Sequence, residues 1–223
     1  MTMALPKGKE ARCIFEYIYF ARPDSHIDGV SVYASRILAG RFLAQDSPVE
    51  ADIVTGVPES GLPAAKGYSE ESGIPFGFAF YKNSYIGRTF IKPTQQERES
   101  SVHLKLSVLE SVVKGKRIVL VDDSIVRGTQ LRETAEFLFE SGAKEVHARA
   151  ACPPILFGCK YLNFSRSNSE MELIARRVIA EEEGENVDRT VLDDYADPDS
   201  DRYHKMVEKI CKRMGFTLSL IHI

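Results

Sequence analysis

The sequence predicts an α/β fold in which a mainly parallel sheet carries helices on both of its faces. Short apolar stretches rich in β-branched residues alternate along the chain with longer stretches whose apolar residues recur at helical spacing. Two of the predicted strands, 51–57 and 116–121, run directly into unusual polar loops. In parallel sheets ligands bind at the carboxyl ends of the strands, so these loops are the first place to look for a site.

The amino-terminal half supplies strands and helices in alternation. The aromatic and β-branched residues 13–20 predict a buried strand, and residues 30–44 have apolar side chains at helical spacing. A strand is predicted at 51–57, and a helix at 62–72 that Gly73 and Pro75 end. Residues 76–81 predict another strand. The polar segment 82–101 has weak periodicity, and a loop of this length in a compact domain usually serves function.

The carboxyl-terminal half continues the alternation. A helix is predicted at 102–113, and the central strand at 116–121 ends in the four apolar residues 118–121. A helix at 128–141 ends at Gly142, and a strand follows at 145–151. Further helices are predicted at 171–183 and 203–214, and the acidic stretch between them is predicted as a loop.

Composition excludes several classes of protein. The formal net charge is −3 with both signs interspersed, so a basic nucleic-acid footprint is absent. No apolar run approaches the roughly 18 residues of a membrane span, and residues 1–13 lack the apolar core of a signal peptide, so we expect a cytoplasmic protein without a membrane partner. The four cysteines form no CxxC pair, so we expect no zinc ribbon, and in a reducing compartment we expect no disulfides.

Common nucleotide and hydrolase motifs are missing. GVPESGL has two glycines at the Walker spacing, but Leu62 and Pro63 stand where lysine and serine or threonine are required. No GxGxxG follows a strand and no HExxH occurs. The chain is therefore predicted to be neither a P-loop ATPase nor an ordinary dinucleotide enzyme.

The stretch IVLVDDSIVRGTQ carries the most informative chemistry. Asp122 and Asp123 follow a buried strand directly, and adjacent carboxylates repel each other. Such a pair suits a divalent cation or the hydroxyls of a sugar diol; the alternative is a pair of helix-capping acids on a surface turn. Gly128, the hydroxyls of Ser124 and Thr129, and the start of a helix then predict an anion site. A diol next to a phosphate describes a ribose 5-phosphate.

These residues resemble a known family. VLVDDSIVRGT is similar to the fingerprint of type I phosphoribosyltransferases. FEYIYFARPDS, VPESG, NSYIGRTFI and VDDSIVRGT also occur, in this order, in the phosphoribosyltransferase half of the amidophosphoribosyltransferase family, and the resemblance spans residues 13–178. It implies the type I phosphoribosyltransferase fold. It also implies formation of 5-phosphoribosylamine from phosphoribosyl pyrophosphate (PRPP) and ammonia, the first committed step of purine synthesis, with glutamine as the ammonia source in full-length relatives.

The resemblance also implies roles for single residues. Asp122 and Asp123 would hold the ribose hydroxyls and Mg²⁺, with Ser60 as a third metal ligand. The 5-phosphate would be bound by Ser124, Val126, Arg127, Gly128, Thr129 and Gln130, and the pyrophosphate by Pro58, Glu59, Ser60 and Gly61. Residues 82–101 would form a flexible loop that closes over the substrate, with Lys82 and Arg88 as catalytic cations.

The same resemblance suggests how the chain is organised. Residues 1–12 are expected to be a linker from a glutaminase domain missing here, residues 13–168 the phosphoribosyltransferase core, and residues 169–223 a partial helical segment. Without the glutaminase domain the chain is expected not to use glutamine. Cys13 and Cys159 match two of the four ligand positions of the [4Fe–4S] cluster of many relatives, so a cluster is expected in a full-length protein rather than here; Cys152 and Cys211 are predicted to be buried thiols.

Expected partners and rival functions complete the hypothesis. Purine nucleotides are expected as feedback inhibitors, and a homo-oligomer is expected. One rival function is a type I phosphoribosyltransferase that acts on a nucleobase. The other is a non-catalytic regulator that senses PRPP.

Overall fold

The fold is built on short strands and amphipathic helices. A computed structural model describes residues 12–83, 106–159 and 170–219, with the exception of residue 217. The strands in this part of the chain are β1 (His26–Ile27), β2 (Val30–Ser31), β3 (Ile53–Gly56), β4 (Phe80–Lys82), β5 (Leu106–Val108), β6 (Arg117–Asp122), β7 (Glu145–Ala150) and β8 (Leu218–Ser219). The α-helices are α1 (Val32–Asp46), α2 (Gly61–Ser72), α3 (Glu110–Val113), α4 (Thr129–Glu140), α5 (Ile174–Glu183), α6 (Arg189–Ala196) and α7 (Asp201–Met214).

A parallel sheet forms the centre. Its strands lie in the order β3-β6-β7-β8, and every neighbouring pair is parallel. The four apolar residues 118–121 of β6 are completely buried, as expected for the middle strand of a sheet that is covered on both faces. Two smaller antiparallel pairs, β1–β2 and β4–β5, lie outside this sheet.

The side chains of β6 alternate between two hydrophobic clusters. Ile118 and Leu120 belong to a cluster that includes residues of α4, α5 and α7. Val119 and Val121 belong to the other cluster, which includes residues of α1 and α2. Because successive side chains of a strand point to opposite faces, one strand holds both helical layers together. The predicted α/β fold with a parallel sheet and helices on both faces is confirmed.

The predicted strand at 13–20 is wrong. Residues Glu16–Phe20 form one turn of π-helix, Cys13 is exposed, and Ile14 is 67% exposed. Two carbonyl groups of this region find donors without a sheet partner, because Arg36 donates from Nε to the carbonyl of Tyr17 at 2.7 Å and from Nη2 to that of Ala21 at 2.9 Å.

Two further predictions fail over part of their length. Of the predicted helix 102–113, only α3 is helical, residues 106–108 form β5 against β4, and residues 102–105 lie outside the described part. The acidic stretch 184–202 contains α6, which Asp188 caps by accepting a hydrogen bond from the N–H of Thr190. Its Leu192 and Tyr195 are buried, so tertiary packing stabilises this helix. The acidic composition of the stretch had led to the prediction of a loop.

Other boundaries shift by a few residues. β4 begins at Phe80, and Phe76 forms only a single parallel bridge to Val54. A 3₁₀ turn, Glu170–Glu172, precedes α5. None of the helices in the described residues is both long and apolar enough to cross a bilayer.

Candidate active site

Two loops meet at the carboxyl edge of β3 and β6. The first is residues 57–60, between β3 and α2; the second, which we call the anion loop, is residues 124–128, between β6 and α4. The N–H of Val57 donates to the carbonyl of Val121 at 2.9 Å. A Cβ on Gly61 would lie 2.4 Å from that same carbonyl oxygen and 3.2 Å from Cα of Asp122, so only glycine allows α2 to begin this close to β6.

The acid pair lies where these loops converge. Asp122 is half-buried and Asp123 is 8% exposed. The N–H of Asp123 donates to Oδ1 of Asp122 at 2.8 Å, and the hydroxyl of Ser124 donates to Oδ1 of Asp123 at 2.5 Å. The side chain of Ser60 also hydrogen-bonds Asp123, so the structure brings the predicted residues of both loops together.

Both carboxyl groups have raised pKa values. Burial raises the pKa of Asp122 well above its usual range, and the neighbouring charge of Asp123 raises it further. Burial also raises the pKa of Asp123, although the hydrogen bonds from Ser124 and Ser60 and the positive charge of Arg36 act in the opposite direction. A bound cation or donated hydroxyl hydrogens would compensate two carboxylates held in this way.

The loop 57–60 also contacts one of the predicted catalytic cations. Its Pro58–Glu59 peptide bond is cis. Nζ of Lys82, on β4, lies 2.9 Å from Oε1 of Glu59, so β4 and this loop share an ion pair at the rim of the site. Arg88 and most of the segment 82–101 lie outside the described residues.

The anion loop turns sharply into α4. Gly128 has φ of 79°, in the left-handed region that favours glycine, and α4 begins at Thr129. The first N–H groups of a helix have no acceptor within it, so Thr129 and Gln130 lie where an anion finds donors. Arg127 is about half exposed, and its guanidinium forms an ion pair with Glu172.

Comparison with models of known protein families shows to which family the chain belongs. Residues 33–154, more than half of the chain, match the model of the phosphoribosyl transferase domain. The chain belongs to the phosphoribosyltransferase family. The matched range includes β3, β6, both loops and the acid pair, so the geometry above is that of a phosphoribosyltransferase domain.

Individual relatives narrow the resemblance. The chain is 54% identical over 176 residues to an amidophosphoribosyltransferase from Archaeoglobus fulgidus, which covers 79% of this chain and 38% of the relative. It is 53% identical over 170 residues to the amidophosphoribosyltransferase of Bacillus subtilis, covering 76% of this chain and 35% of that protein. The chain thus spans less than two fifths of these relatives, and the resemblance to their phosphoribosyltransferase part is confirmed.

Solved structures agree. The structure of glutamine PRPP amidotransferase from B. subtilis, complexed with ADP and GMP, has a TM-score of 0.72 and 44% identity, and the match covers 94% of this chain and 40% of that one. A second structure, described as the allosteric regulatory enzyme of purine biosynthesis, also has a TM-score of 0.72, with 43% identity.

Arg36 is a neighbour of the phosphoribosyltransferase site that sequence reasoning missed. It is 5% exposed, lies on α1, holds the segment 17–21 by its carbonyls and is attracted by the charge of Asp123. Burial lowers its pKa. Its position in a helical stretch gives no local signal, because the charge interaction with Asp123 spans 87 positions of the chain and depends on the tertiary fold.

The cysteines are divided between surface and interior. Cys13 and Cys159 are exposed, whereas Cys152 and Cys211 are buried, as predicted for the latter two. Burial raises the pKa of Cys152 to about 12, and the charges of the acid pair add to that effect. Within the described residues, no group of three or more His, Cys, Asp or Glu side chains is arranged to hold a metal ion. The expectation about a [4Fe–4S] cluster stays a prediction.

Proposed function

We propose that the chain binds PRPP with Mg²⁺ and transfers the 5-phosphoribosyl group to ammonia. The observation that supports this most is the hydrogen bond between Ser60 and Asp123, since it joins the loop proposed for pyrophosphate to the acid pair proposed for ribose. A diol, a diphosphate and a 5-phosphate are the features of PRPP, and the edge of β3 and β6 offers a complementary group for each.

The acid pair and Ser60 would bind the ribose and the cation. Two carboxylates and a hydroxyl are hard oxygen donors, and Mg²⁺ is usually held by one or two carboxylates together with substrate phosphates. These residues therefore fit Mg²⁺ although they are fewer than a closed protein cage would need. Bound Mg²⁺ would neutralise the charge that develops on the leaving pyrophosphate. The remaining carboxylate oxygens would accept hydrogen bonds from the ribose 2- and 3-hydroxyls.

The two loops would hold the phosphates. Residues 58–61 would bind the pyrophosphate, with Lys82 moving from Glu59 to a phosphate oxygen, and Arg88 would assist from the segment that follows β4. The anion loop with Thr129 and Gln130 would bind the 5-phosphate through N–H groups and hydroxyls. Closure of residues 82–101 over the substrate would exclude water, which competes with ammonia for the anomeric carbon.

The reaction needs no general base on the enzyme. The lone pair of ammonia forms a bond to the anomeric carbon, and the bond from that carbon to the pyrophosphate oxygen breaks with its electron pair on pyrophosphate. The nitrogen then loses one proton to solvent, which leaves 5-phosphoribosylamine. Positioning and electrostatic stabilisation of the leaving group supply most of the rate enhancement in such a transfer.

The context of the reaction is proposed from the relatives. As the phosphoribosyltransferase part of an amidophosphoribosyltransferase, the chain would catalyse the first committed step of purine synthesis, with ammonia released from glutamine elsewhere in a full-length protein. Purine nucleotides are proposed as feedback inhibitors, because a similar structure is complexed with ADP and GMP. A homo-oligomer and a cytoplasmic location stay predictions.

Release of pyrophosphate with a panel of acceptors tests the proposed function. PRPP and Mg²⁺ are incubated with the chain and with ammonium, adenine, guanine, uracil or no acceptor. We expect ammonium alone to raise the rate above the acceptor-free rate, and the Asp122→Asn/Asp123→Asn variant to lose that increase. A nucleobase as the best acceptor would make the chain a different phosphoribosyltransferase. Binding of PRPP without release under any condition would favour the sensing regulator.

A further inference from the structure

Three consecutive carbonyl groups of the anion loop accept hydrogen bonds from residues outside the loop. The carbonyl of Ile125 accepts a hydrogen bond from the N–H of Ile155 at 3.3 Å, and that of Val126 accepts one from the N–H of Ile174 at 2.9 Å. The carbonyl of Arg127 accepts a hydrogen bond from Nη2 of Arg177 at 2.9 Å. The third hydrogen bond therefore comes from a side chain, and that side chain lies on α5.

These hydrogen bonds determine the direction in which the backbone N–H groups of the anion loop point. In a planar trans peptide the C=O and the N–H of the same unit point in opposite directions. A carbonyl held toward the protein thus turns the next residue's N–H away from it. For the unit that joins Arg127 to Gly128, the guanidinium of Arg177 is what holds the carbonyl, so the N–H of Gly128 points away from α5.

Packing keeps α5 against the loop. A Cβ on Gly128 would lie 2.6 Å from Cδ1 of Ile174 and 3.1 Å from Sδ of Met214, which shows that α5 and α7 contact the loop at its turn. Arg127 forms a second link through its ion pair with Glu172. Arg177 is exposed, so its guanidinium is not needed to fill the core and a more specific role is open to it.

We propose that Arg177 is a positioning residue for the anion loop. It fixes the Arg127–Gly128 peptide so that the Gly128 N–H faces a bound phosphate, and its charge adds to the attraction for that phosphate. This inference rests on the proposed function, because it assigns the 5-phosphate of a ribose 5-phosphate to the anion loop. It extends the site to a helix that lies 50 residues further along the chain.

The neighbouring residue on the same helix provides a matched control. Arg176 forms a hydrogen-bonded ion pair with Glu170 at 2.6 Å instead of a bond to the anion loop, and its side chain is more buried than that of Arg177. Arg177→Met and Arg176→Met each remove one guanidinium from α5 and keep a long apolar chain. A phosphate effect that follows from net charge alone would appear in both variants, whereas positioning of the loop affects only the first.

Calorimetric titrations of the 223-residue chain test the proposal. The probes are ribose 5-phosphate, which carries the phosphate assigned to the anion loop, and magnesium pyrophosphate, which is assigned to residues 58–61. Arg177→Met is expected to weaken binding of ribose 5-phosphate about tenfold and to leave pyrophosphate binding unchanged, since one charge-assisted hydrogen bond is lost. Arg177→Lys keeps a charged donor and is expected to bind ribose 5-phosphate within about threefold of the wild type.

The outcomes separate this inference from the proposed function. Thermal unfolding of each variant checks that the fold is intact, and Arg176→Met is expected to bind both probes as the wild type does. Unchanged binding of ribose 5-phosphate to Arg177→Met, or equal weakening in Arg176→Met, would overturn the role of Arg177 alone. A wild-type chain that binds pyrophosphate but no ribose 5-phosphate would overturn the assignment of the anion loop, and one that binds neither probe would overturn the proposed function as well.

Discussion

At the scale of single residues, the acid pair of the candidate site lowers the stability of the folded chain. Asp122 and Asp123 follow the completely buried residues 118–121 of β6, and burial raises the pKa of each. A carboxyl group whose pKa is higher in the folded than in the unfolded chain disfavours folding once the pH exceeds its unfolded value. Such a cost is reasonable in an enzyme only if a ligand removes it, which is the role proposed for ribose and Mg²⁺.

Asp122→Asn is therefore expected to stabilise the chain in the absence of Mg²⁺. Its amide oxygen can still accept the hydrogen bond from the N–H of Asp123, while the charge repulsion disappears. The free energy of unfolding in urea should be higher for the variant than for the wild type at pH 7. The difference should shrink as the pH falls toward the unfolded value of about 4, because the wild-type pair then becomes protonated. A variant that is less stable at pH 7 would contradict the cost assigned to the pair.

At the scale of elements, glycines set how closely the helices of one layer cross. A Cβ on Gly40 of α1 would lie 1.9 Å from the carbonyl oxygen of Ala64, and one on Gly67 of α2 would lie 2.0 Å from that of Ile37. The two helices thus contact each other backbone to backbone. This contact places the start of α2, and with it the loop 57–60, against the end of β6.

Gly40→Ala is expected to lower the free energy of unfolding by about 1–3 kcal/mol, the usual cost of forcing a group into a filled interior. The higher helix propensity of alanine offsets only about 1 kcal/mol of the clash. Gly158→Ala is the control, because a Cβ at Gly158 meets no atom within 4 Å, and its effect should stay within about 0.5 kcal/mol. Equal stabilities of the two variants in urea denaturation would show that α1 and α2 do not cross as described.

The start of β6 is held by the carboxylate of Asp52, the residue immediately before β3. Oδ2 of Asp52 accepts the N–H of Arg117 at 2.7 Å, and Oδ1 accepts from Nη2 of Arg117 at 3.0 Å. The side-chain hydrogen bond to Arg117, followed by the backbone one, lowers the pKa of Asp52 to about 2. The stabilisation is therefore fully present above the ordinary carboxyl pKa of 3.8 and is lost as the pH falls through about 2.

Asp52→Asn should accordingly be less stable than the wild type at pH 6, and the difference should narrow steadily between pH 4 and pH 2. Glu50→Gln is the matched control: its carboxylate also approaches Arg117, at 3.4 Å, but is 94% exposed, so solvent screens the pair. Thermal unfolding across this pH range measures both. A pH-independent difference for Asp52→Asn would mean that its effect is not electrostatic.

Elements differed in how well the sequence predicted them. The central strand and α4 were predicted within about two residues, because residues 118–121 of β6 are all apolar and Gly142 ends the periodic stretch of α4. The strand prediction for residues 13–20 was wrong because a short apolar run fits a strand or one helical turn equally well. Arg36, which is distant in sequence, favours the helical turn by its hydrogen bond to the carbonyl of Tyr17. For α6 a signal was present in the cap Asp188 and in the spacing of Leu192 and Tyr195, but the surrounding acidic residues concealed it.

The site was predictable to the extent that its residues are local. Asp122, Asp123 and the anion loop are consecutive, and the order of strand, acids, loop and helix is visible in the sequence. Ser60 required knowledge that β3 and β6 are neighbours. Arg36 and Arg177 required the tertiary structure itself, because each reaches the site from a helix whose local pattern describes only an ordinary surface or core position.

At the scale of the whole molecule, the fold gathers the described groups proposed for PRPP and Mg²⁺ at one edge of the sheet. The loops after β3 and β6 meet there, β4 brings Lys82, α1 brings Arg36 and α5 brings Arg177. The chain spans 38% of a similar amidophosphoribosyltransferase, and the step proposed for this part is the transfer of the phosphoribosyl group. The central claim is that ammonia nitrogen becomes bonded to the anomeric carbon of PRPP.

Following ¹⁵N-ammonium and PRPP with Mg²⁺ by nuclear magnetic resonance tests this claim most directly. We predict that pyrophosphate appears together with an equal amount of a product whose ¹⁵N is bonded to the anomeric carbon, and that the Asp122→Asn/Asp123→Asn variant forms neither. Because the amine product hydrolyses, spectra are recorded from the first minutes of the reaction. Pyrophosphate accompanied from the start only by ribose 5-phosphate, with no ¹⁵N attached to carbon, would contradict transfer to ammonia.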